Sequence, residues 1–338
     1  MQPVSTFSVF LRHKQRLKNN SMLQFIKNWT LPLAMLAGVI GYFCFTWFDI
    51  LQPIKPFVKV LIAWLTPLLI FAQLLLTFCK VEVKELSPRR WTYILLLIQS
   101  VSCLLVAGVL LFFPFDEWGQ MALEGAMVCL ICPTATAAAV ITGKLGGSAA
   151  SLTTYTLASN LLAAILVPLV FPLVEPSDIP FGLSFLKILG KVFPLLLFPF
   201  FLAVLLRRYA PPVHHFLIGL KDMAFYLWAV ALTIVMGQTM KSIFEGNVSV
   251  GEKCIIASLA LLICCLQFWG GKAIGGKYND RISGGQALGQ KNTVLAIWMA
   301  MTYLNPITAI APGSYVVWQN TINSWQLWKK RKKETKSE

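Results

Sequence analysis

Long apolar runs alternate with short polar connections along most of this chain. A helix needs about 20 residues to cross the hydrocarbon core of a bilayer, and runs of roughly that length recur. They lie at residues 30–48, 57–79, 91–113, 121–142, 150–174, 185–206, 223–241, 254–274, 286–304 and 307–328. The pattern predicts an all-α integral membrane protein with ten transmembrane helices.

The composition agrees with a membrane protein. Of the 338 residues, 57% are hydrophobic and only 13% are charged, whereas about a quarter are charged in a typical soluble domain. The net charge of +15 is not carried by a basic soluble domain with interleaved aromatic residues, so we expect no nucleic-acid partner. The eight cysteines lie mostly within or beside apolar runs. Their spacing favours neither a disulfide framework nor a metal site, and we expect them to be packing residues.

The distribution of the charges predicts an orientation. Lysine and arginine collect in alternate connections and at the end of the chain. With an even number of spans, the positive-inside rule places both termini in the cytoplasm, and we expect the plasma (inner) membrane. Three parts follow: a basic cytoplasmic segment (1–28) with a short amphipathic surface helix, a ten-span domain (29–328), and a basic cytoplasmic tail (329–338). The tail is expected to contact anionic lipid.

Two of the runs contain residues that disfavour a straight helix. Pro133 lies in the middle of the fourth run, where it removes a backbone donor and predicts a kink or a break. The ninth run opens with several glycines among polar residues, Gly284 and Gly289 included, which predicts a poorly formed helix. Interruptions in matching positions of two halves are typical of inverted-repeat transporters. We therefore expect repeats at about 29–175 and 181–328; the alternative is that Pro133 only bends a packed helix.

Lys291 stands at the start of the apolar part of the ninth run, between Gln290 and Asn292. A cation at mid-bilayer costs about 2.5–3.5 kcal/mol by some measures and roughly 10–17 kcal/mol by others. Such a group usually faces a protein interior or a water-filled cavity, where it marks a ligand or ion path. The alternative is a lysine at the cytoplasmic edge that reaches water with its long side chain. Both interpretations stay open at this point.

Four stretches carry recognisable motifs, in order along the chain. They are 132–140 (CPTATAAAV), 159–169 (SNLLA, then PL), 289–296 (GQKNTVLA) and 312–320 (PGSYVVWQN). These resemble, in turn, the CPGGTASNV, STLLAP–PL, ExGxQNSxLA and PxxIxSVWxN motifs of the bile acid:sodium symporter family, and the similarity covers about 23–328. The resemblance implies two inverted five-helix repeats, with a core domain whose broken helices four and nine cross and a panel domain that moves against it. It also implies transport of an organic anion, usually driven by sodium.

The chain departs from this family where the resemblance implies sodium ligands. Ala287 occupies the position of the family's sodium-site glutamate, and Ala138 and Ala139 occupy those of a serine-asparagine pair. Lys291 stands in place of the signature glutamine. Sodium gives up its hydration shell only to several hard oxygen ligands, and an alanine methyl offers none. We therefore expect the sodium sites to be degraded.

Polar candidates for a substrate or ion site remain. They are Gln99, Thr134, Thr136, Thr156, Asn160, Gln290, Lys291 and Asn292, with Pro133 and Gly289 as helix-breaking residues. In the resembled family, two sodium ions and one glutamate leave a net charge of +1 at the crossover, which one protonated Lys291 also supplies. We hypothesise that its ammonium, with three donors, replaces the cations and binds C-terminal carbonyls of the broken half-helices. Either it stays protonated through the cycle, or it releases a proton in one orientation and couples transport to protons.

These observations predict a secondary transporter of an organic anion that does not depend on sodium. Two alternatives stay open: a non-transporting ligand sensor on the same fold, and a sodium-coupled symporter with substitute ligands. We expect no enzyme, because the chain has neither an HExxH nor a GxSxG motif and almost no acids in its apolar runs. The expected partners are a small organic anion and membrane lipid, with no cofactor and no metal.

Overall fold

The computed structural model describes residues 30, 32–81, 86–175, 179–220 and 223–337. The amphipathic helix predicted within 1–28 lies outside the described residues. Within the described part the chain is all-helical, as predicted, and its only β pairing is one isolated bridge. The helices are α1 (Pro32–Trp47), α2 (Lys55–Cys79), α3 (Arg90–Phe112), α4 (Glu117–Ile131), α5 (Ala138–Leu145), α6 (Ala149–Val174), α7 (Phe181–Tyr209), α8 (Pro211–Gly219), α9 (Met223–Glu245), α10 (Val250–Gly276), α11 (Arg281–Gly289), α12 (Thr293–Tyr303) and α13 (Ile310–Ser337), with 3-10 helices at Asp49–Ile54 and Pro306–Ala309.

Six of the described helical stretches are long and apolar enough to cross a membrane. They are α2 with the 3-10 turn before it, α3, α6, α7, α9 and α10. Two shorter helices, α1 and α12, are also apolar. These helices are compatible with an integral membrane protein. The count of ten spans stays a prediction.

The outer surface of the bundle is apolar, as a lipid-facing surface must be. Trp64, Leu105 and Trp269 each leave more than half of their surface exposed, and many aliphatic residues of the same helices do so as well. A soluble monomer rarely exposes contiguous apolar surface of this extent. Polar side chains such as Gln99, Asn160 and Lys291 are instead buried inside the bundle.

Two interruptions divide otherwise continuous apolar segments. The first separates α4 from α5 at residues 132–137, and the second separates α11 from α12 at residues 290–292. Pro133 accounts for the first because it has no N–H and restricts the residue before it to extended conformations. Cys132 accordingly has φ −53° and ψ 131°.

The expectation of a poorly formed helix around Gly284 is wrong. Residues Arg281–Gly289 form the regular helix α11, and only the residues after Gly289 leave it. The glycines are needed for close packing against α10, since a Cβ on Gly284 would lie 2.5 Å from the carbonyl oxygen of Gly271 and 2.8 Å from the Cα of Gly275. Gly289 likewise has a negative φ and lies against the ring of Phe268.

The helix α13 continues into the predicted basic tail. α13 runs without interruption from Ile310 to Ser337 and so includes nearly all of residues 329–338. Two of its lysines lie over aromatic rings: Lys329 Nζ is 5.1 Å from the ring centre of Trp325, and Lys332 Nζ is 5.0 Å from that of Trp328. Aromatic rings beside cations are typical of a membrane interface.

Candidate functional site at the crossing of two interrupted helices

The two interruptions meet and pair with each other. Thr134 and Lys291 form an isolated antiparallel bridge. The amide of Ala135 donates to the carbonyl of Gln290 (2.9 Å), and the amide of Asn292 donates to the carbonyl of Pro133 (2.8 Å). These extended residues thereby satisfy backbone groups that would otherwise be unpaired in an apolar interior.

The side chains of the two bridged residues each donate to a backbone carbonyl of the opposite helix. Lys291 Nζ donates to the carbonyl of Leu130 (3.1 Å), four residues before Thr134. Thr134 Oγ1 donates to the carbonyl of Ala287 (2.6 Å), four residues before Lys291. In an unbroken helix, the amide of residue 134 would bond to carbonyl 130, and amide 291 would bond to carbonyl 287. Each interruption therefore supplies the donor that the other helix has lost.

The amides released by the interruptions are also bonded. Thr134 N donates to Ser159 Oγ on α6 (3.2 Å). Lys291 N donates to Gln319 Oε1 on α13 (2.9 Å), and Gln319 Nε2 donates back to the carbonyl of Lys291 (3.3 Å). The crossing is thus held from two sides, by α6 and by α13.

The remaining carbonyls at the end of α4 have side-chain donors as well. Gln267 Nε2 donates to the carbonyl of Cys129 (3.2 Å), which is the group that a residue with an N–H at position 133 would have bonded. Gln99 Nε2 donates to the carbonyl of Ile131 (2.7 Å), and Gln99 Oε1 accepts from Tyr155 (2.9 Å). The last carbonyls of a helix have no partner within that helix. At the end of α4, side chains from other helices bond them.

No protein-family model matches this chain, and no curated protein matches it either. The resemblance to the bile acid:sodium symporter family therefore depends on the sequence motifs alone.

Lys291 lies inside the protein, where its residue is only 1% exposed. It is not a lysine that reaches water from an exposed edge. Its ammonium contacts a carbonyl at the C-terminal end of α4, which is the kind of acceptor hypothesised from the sequence, and the helix dipole makes this end partly negative. None of the salt bridges among the described residues includes Lys291.

The buried acid Glu124 is not the partner of Lys291. Its two oxygens accept from Gln120 Nε2 (2.9 Å) and from Thr308 Oγ1 (3.1 Å). It precedes Leu130 by six residues on α4, which places the two Cα atoms about 9 Å apart along the helix axis. Among the described residues, the side chain of Lys291 therefore bonds a backbone carbonyl and no carboxylate.

The other predicted site residues fall into two groups. Thr156 and Asn292 have local structural roles, since Thr156 Oγ1 donates to the carbonyl of Leu152 and Asn292 Oδ1 caps the start of α12. Among the described atoms, both amide atoms of the buried Asn160 and Oε1 of the buried Gln290 lack a hydrogen-bond partner. Thr136 is only partly buried. These last three side chains are the ones left for a ligand or water.

Four residues of the crossing were not predicted as part of the site. They are Ser159, Gln267, Tyr315 and Gln319, and each bonds a backbone atom of an interruption or of the helix end before it. Each is a polar side chain within one of the apolar runs. Because a buried polar group must find a partner in the bilayer core, such residues are a signal that the sequence did contain.

Three thiols lie in the neighbourhood of Lys291. Cys103, Cys129 and Cys132 lie within electrostatic reach of Lys291, and Cys132 Sγ donates to the carbonyl of Asn292 (3.0 Å). They are buried, as expected for packing residues, whereas Cys254 and Cys265 are exposed. Among the described residues no group of three His, Cys, Asp or Glu side chains could hold a metal ion.

Substituting Gln267→Leu should destabilise the protein. The change removes the donor to the carbonyl of Cys129, and Pro133 cannot replace it, so a buried acceptor is left unpaired at a cost of about 1–3 kcal/mol. The thermal unfolding midpoint of the purified protein measures this loss. Gln73→Leu is the matched control because the Nε2 of the buried Gln73 has no partner among the described atoms. An equal fall in both variants would contradict the role of Gln267.

Proposed function

We propose that this protein is a secondary transporter of a small organic anion that works without sodium. The proposal depends mainly on one observation: a fully buried lysine, with no carboxylate partner among the described residues, binds the end of one interrupted helix at its crossing with another. A buried charge of this kind is costly, and where it occurs it marks a ligand or ion path. In inverted-repeat transporters, substrate and ion sites are typically formed by interrupted helices of this kind.

The proposed arrangement has ten spans in two inverted repeats, with both termini cytoplasmic in the inner membrane. The helices α4 and α5 together form the fourth span, and α11 and α12 form the ninth. The reciprocal bonds of Thr134 and Lys291 support this pairing, because corresponding residues of two inverted repeats are expected to make equivalent contacts. The basic end of α13 supports the orientation.

In this proposal Lys291 supplies permanently the positive charge that bound sodium supplies in the resembled family. The surroundings of the three alanines support it. Ala138 and Ala287 are fully buried and pack in an apolar cluster with Leu152 and Tyr155. A site lined by methyl groups and an aromatic ring offers few oxygen atoms to a sodium ion. The ammonium instead reaches the carbonyl of Leu130 directly.

The anion is proposed to bind at the N-terminal end of α5. That helix begins after Ala137 without a side-chain cap, so its first amides and its dipole favour a negative group. Thr136, Ala137 and Ala139 are partly exposed, so a ligand can approach there. Thr136 would donate from its hydroxyl, while Lys291 stays covered and acts through its charge.

Flux into proteoliposomes tests this function. Purified protein is reconstituted into vesicles, and uptake of a panel of radiolabelled carboxylates, keto acids and steroid conjugates is compared with that of empty vesicles. We expect saturable uptake of at least one organic anion. Saturable binding of an anion without any flux would overturn the proposal and assign a sensor.

We expect this uptake to be independent of sodium. Replacing sodium with potassium or choline at constant ionic strength should leave the initial rate unchanged, because Ala138, Ala139 and Ala287 provide no side-chain oxygen. The measurement is the initial rate as a function of sodium concentration. A steep and saturable requirement for sodium would show that other residues coordinate the ion.

A further inference from the structure

Three cationic side chains line a cavity at the basic end of the bundle. The cavity is open to its surroundings and has a volume of about 590 Å³. Its walls come from the end of α5, the end of α10 and the start of α11. Lys272, Lys277 and Arg281 all line it.

Among the residues that the structure describes, none of these three cations forms a salt bridge. The acid that lines the cavity, Asp280, is already engaged: its Oδ2 lies 3.3 Å from the guanidinium of Arg89 and accepts from Trp91 Nε1 at 3.3 Å. The local charge is therefore strongly positive.

The start of α11 adds backbone donors to the same cavity. Asp280, which precedes this helix, makes no side-chain bond to its first turn. The amides of the first turn of a helix have no partner within the helix, and together with the helix dipole they favour an anion. Arg281 and Ile282 of this turn line the cavity.

The α13 helix brings two lysines to the rim, one of which, Lys330, is paired with Glu334 (Nζ to Oε1, 3.5 Å). Lys330 Nζ donates to the carbonyl of Lys144 (2.9 Å) and would lie 3.7 Å from a Cβ on Gly146, a residue that lines the cavity. Lys329 lies within electrostatic reach of Lys272 and over the ring of Trp325. The cavity is thus next to the aromatic residues that are typical of the headgroup level of a membrane.

We propose that this cavity is a binding site for a phosphate group. Lysine and arginine bind phosphate oxygens by charge-assisted hydrogen bonds, and a guanidinium can bind two of them at once. Such a site would connect α5, α10, α11 and α13 at one end of the bundle. The phosphate can belong to an anionic phospholipid or to a free phosphate, and the inference does not depend on the transport proposal.

Binding to the purified full-length protein in uncharged detergent tests the site. One arm titrates short-chain phosphatidylglycerol against phosphatidylcholine, and the other titrates inorganic phosphate against chloride at equal ionic strength, both followed by tryptophan fluorescence. The double substitution Lys277→Gln/Arg281→Gln should weaken binding roughly thirtyfold, because it removes two cations that each attract the phosphate group. Loss in the lipid arm alone assigns a headgroup, and loss in both arms assigns free phosphate.

The control is Lys332→Gln/Lys333→Gln, which removes the same charge from the same end outside the cavity. An equal loss of affinity in this control, or no binding by the wild-type protein in either arm, would overturn the proposal. The exchange Lys277→Arg/Arg281→Lys keeps both charges and should retain binding. Retained binding there, with unchanged unfolding midpoints without ligand, excludes misfolding as the cause of the loss.

Discussion

Anion uptake should fall at least about tenfold when Lys291 is replaced by glutamine, since the change removes a hydrogen bond from a charged donor in a buried position. The variant leaves the carbonyl of Leu130 without its donor and removes the only positive charge described at the crossing. The measurement is the initial rate of uptake in proteoliposomes. Lys187→Gln is the matched control, because Lys187 lies exposed on α7. Full activity of Lys291→Gln would show that the buried charge has no part in transport.

Substituting Lys291→Arg separates the two roles of the charge. Arginine keeps the positive charge but cannot lose its proton in a protein. If the charge is permanent, the variant retains flux, and neither protein responds to a pH gradient. If the lysine carries a proton, acid outside the vesicle drives uptake by the wild-type protein, and the arginine variant binds the anion without this response. We expect the first result, because backbone carbonyls at the end of α4 stabilise the cation.

Substituting Gly271→Ala should destabilise the protein by about 1–3 kcal/mol, as overpacking of a close-packed interior does. A Cβ at this position would lie 3.0 Å from the Cα of Gly285 and closer still to the carbonyl oxygen of Gly284. Both are backbone atoms of α11, so this helix has to move away from α10. Because α11 leads directly into Gln290 and Lys291, we expect transport to fall together with the unfolding midpoint.

The neighbouring glycine provides the control for this prediction. A Cβ on Gly270 would meet no atom within 4 Å, although the two residues are adjacent on α10. Alanine is favoured over glycine in a helix by about 1 kcal/mol, so Gly270→Ala should leave the midpoint unchanged or raise it. If both substitutions lower the midpoint equally, the close approach of α10 and α11 is not what the glycine at position 271 provides.

The elements at the crossing differ in how far the sequence predicts them. Pro133 alone is enough to expect an interruption, because its missing N–H is a local property of the chain. The second interruption has no proline. Its predicted position was too early, since the glycines around Gly284 serve the contact with α10, and this contact appears only once the two helices are placed side by side.

The bonding partners at the crossing were harder to predict. The sequence predicts Gln99 as a ligand-binding residue. In the structure its Nε2 donates to a carbonyl at the end of α4, and its Oε1 accepts from the hydroxyl of Tyr155. Gln267 is a polar residue in an apolar run, which indicates a buried partner, but the sequence does not show that this partner is the carbonyl of Cys129 that Pro133 leaves unbonded. A pairing between residues more than a hundred positions apart depends on tertiary structure. Sequence patterns report local periodicity and cannot supply it.

The helix α13 links the crossing to a distant position on the same helix, where movements of the crossing can be measured. Its residue Gln319 bonds both the amide and the carbonyl of Lys291, and Tyr315 bonds the carbonyl of Gly289. From Gln319 the helix continues unbroken past Lys333, a further distance of about 21 Å at 1.5 Å per residue. Because an unbroken helix moves as a rigid body, a tilt at Gln319 produces a larger displacement at position 333. A spin label at position 333 would therefore report displacements of the crossing with amplification, without a probe near the lysine itself.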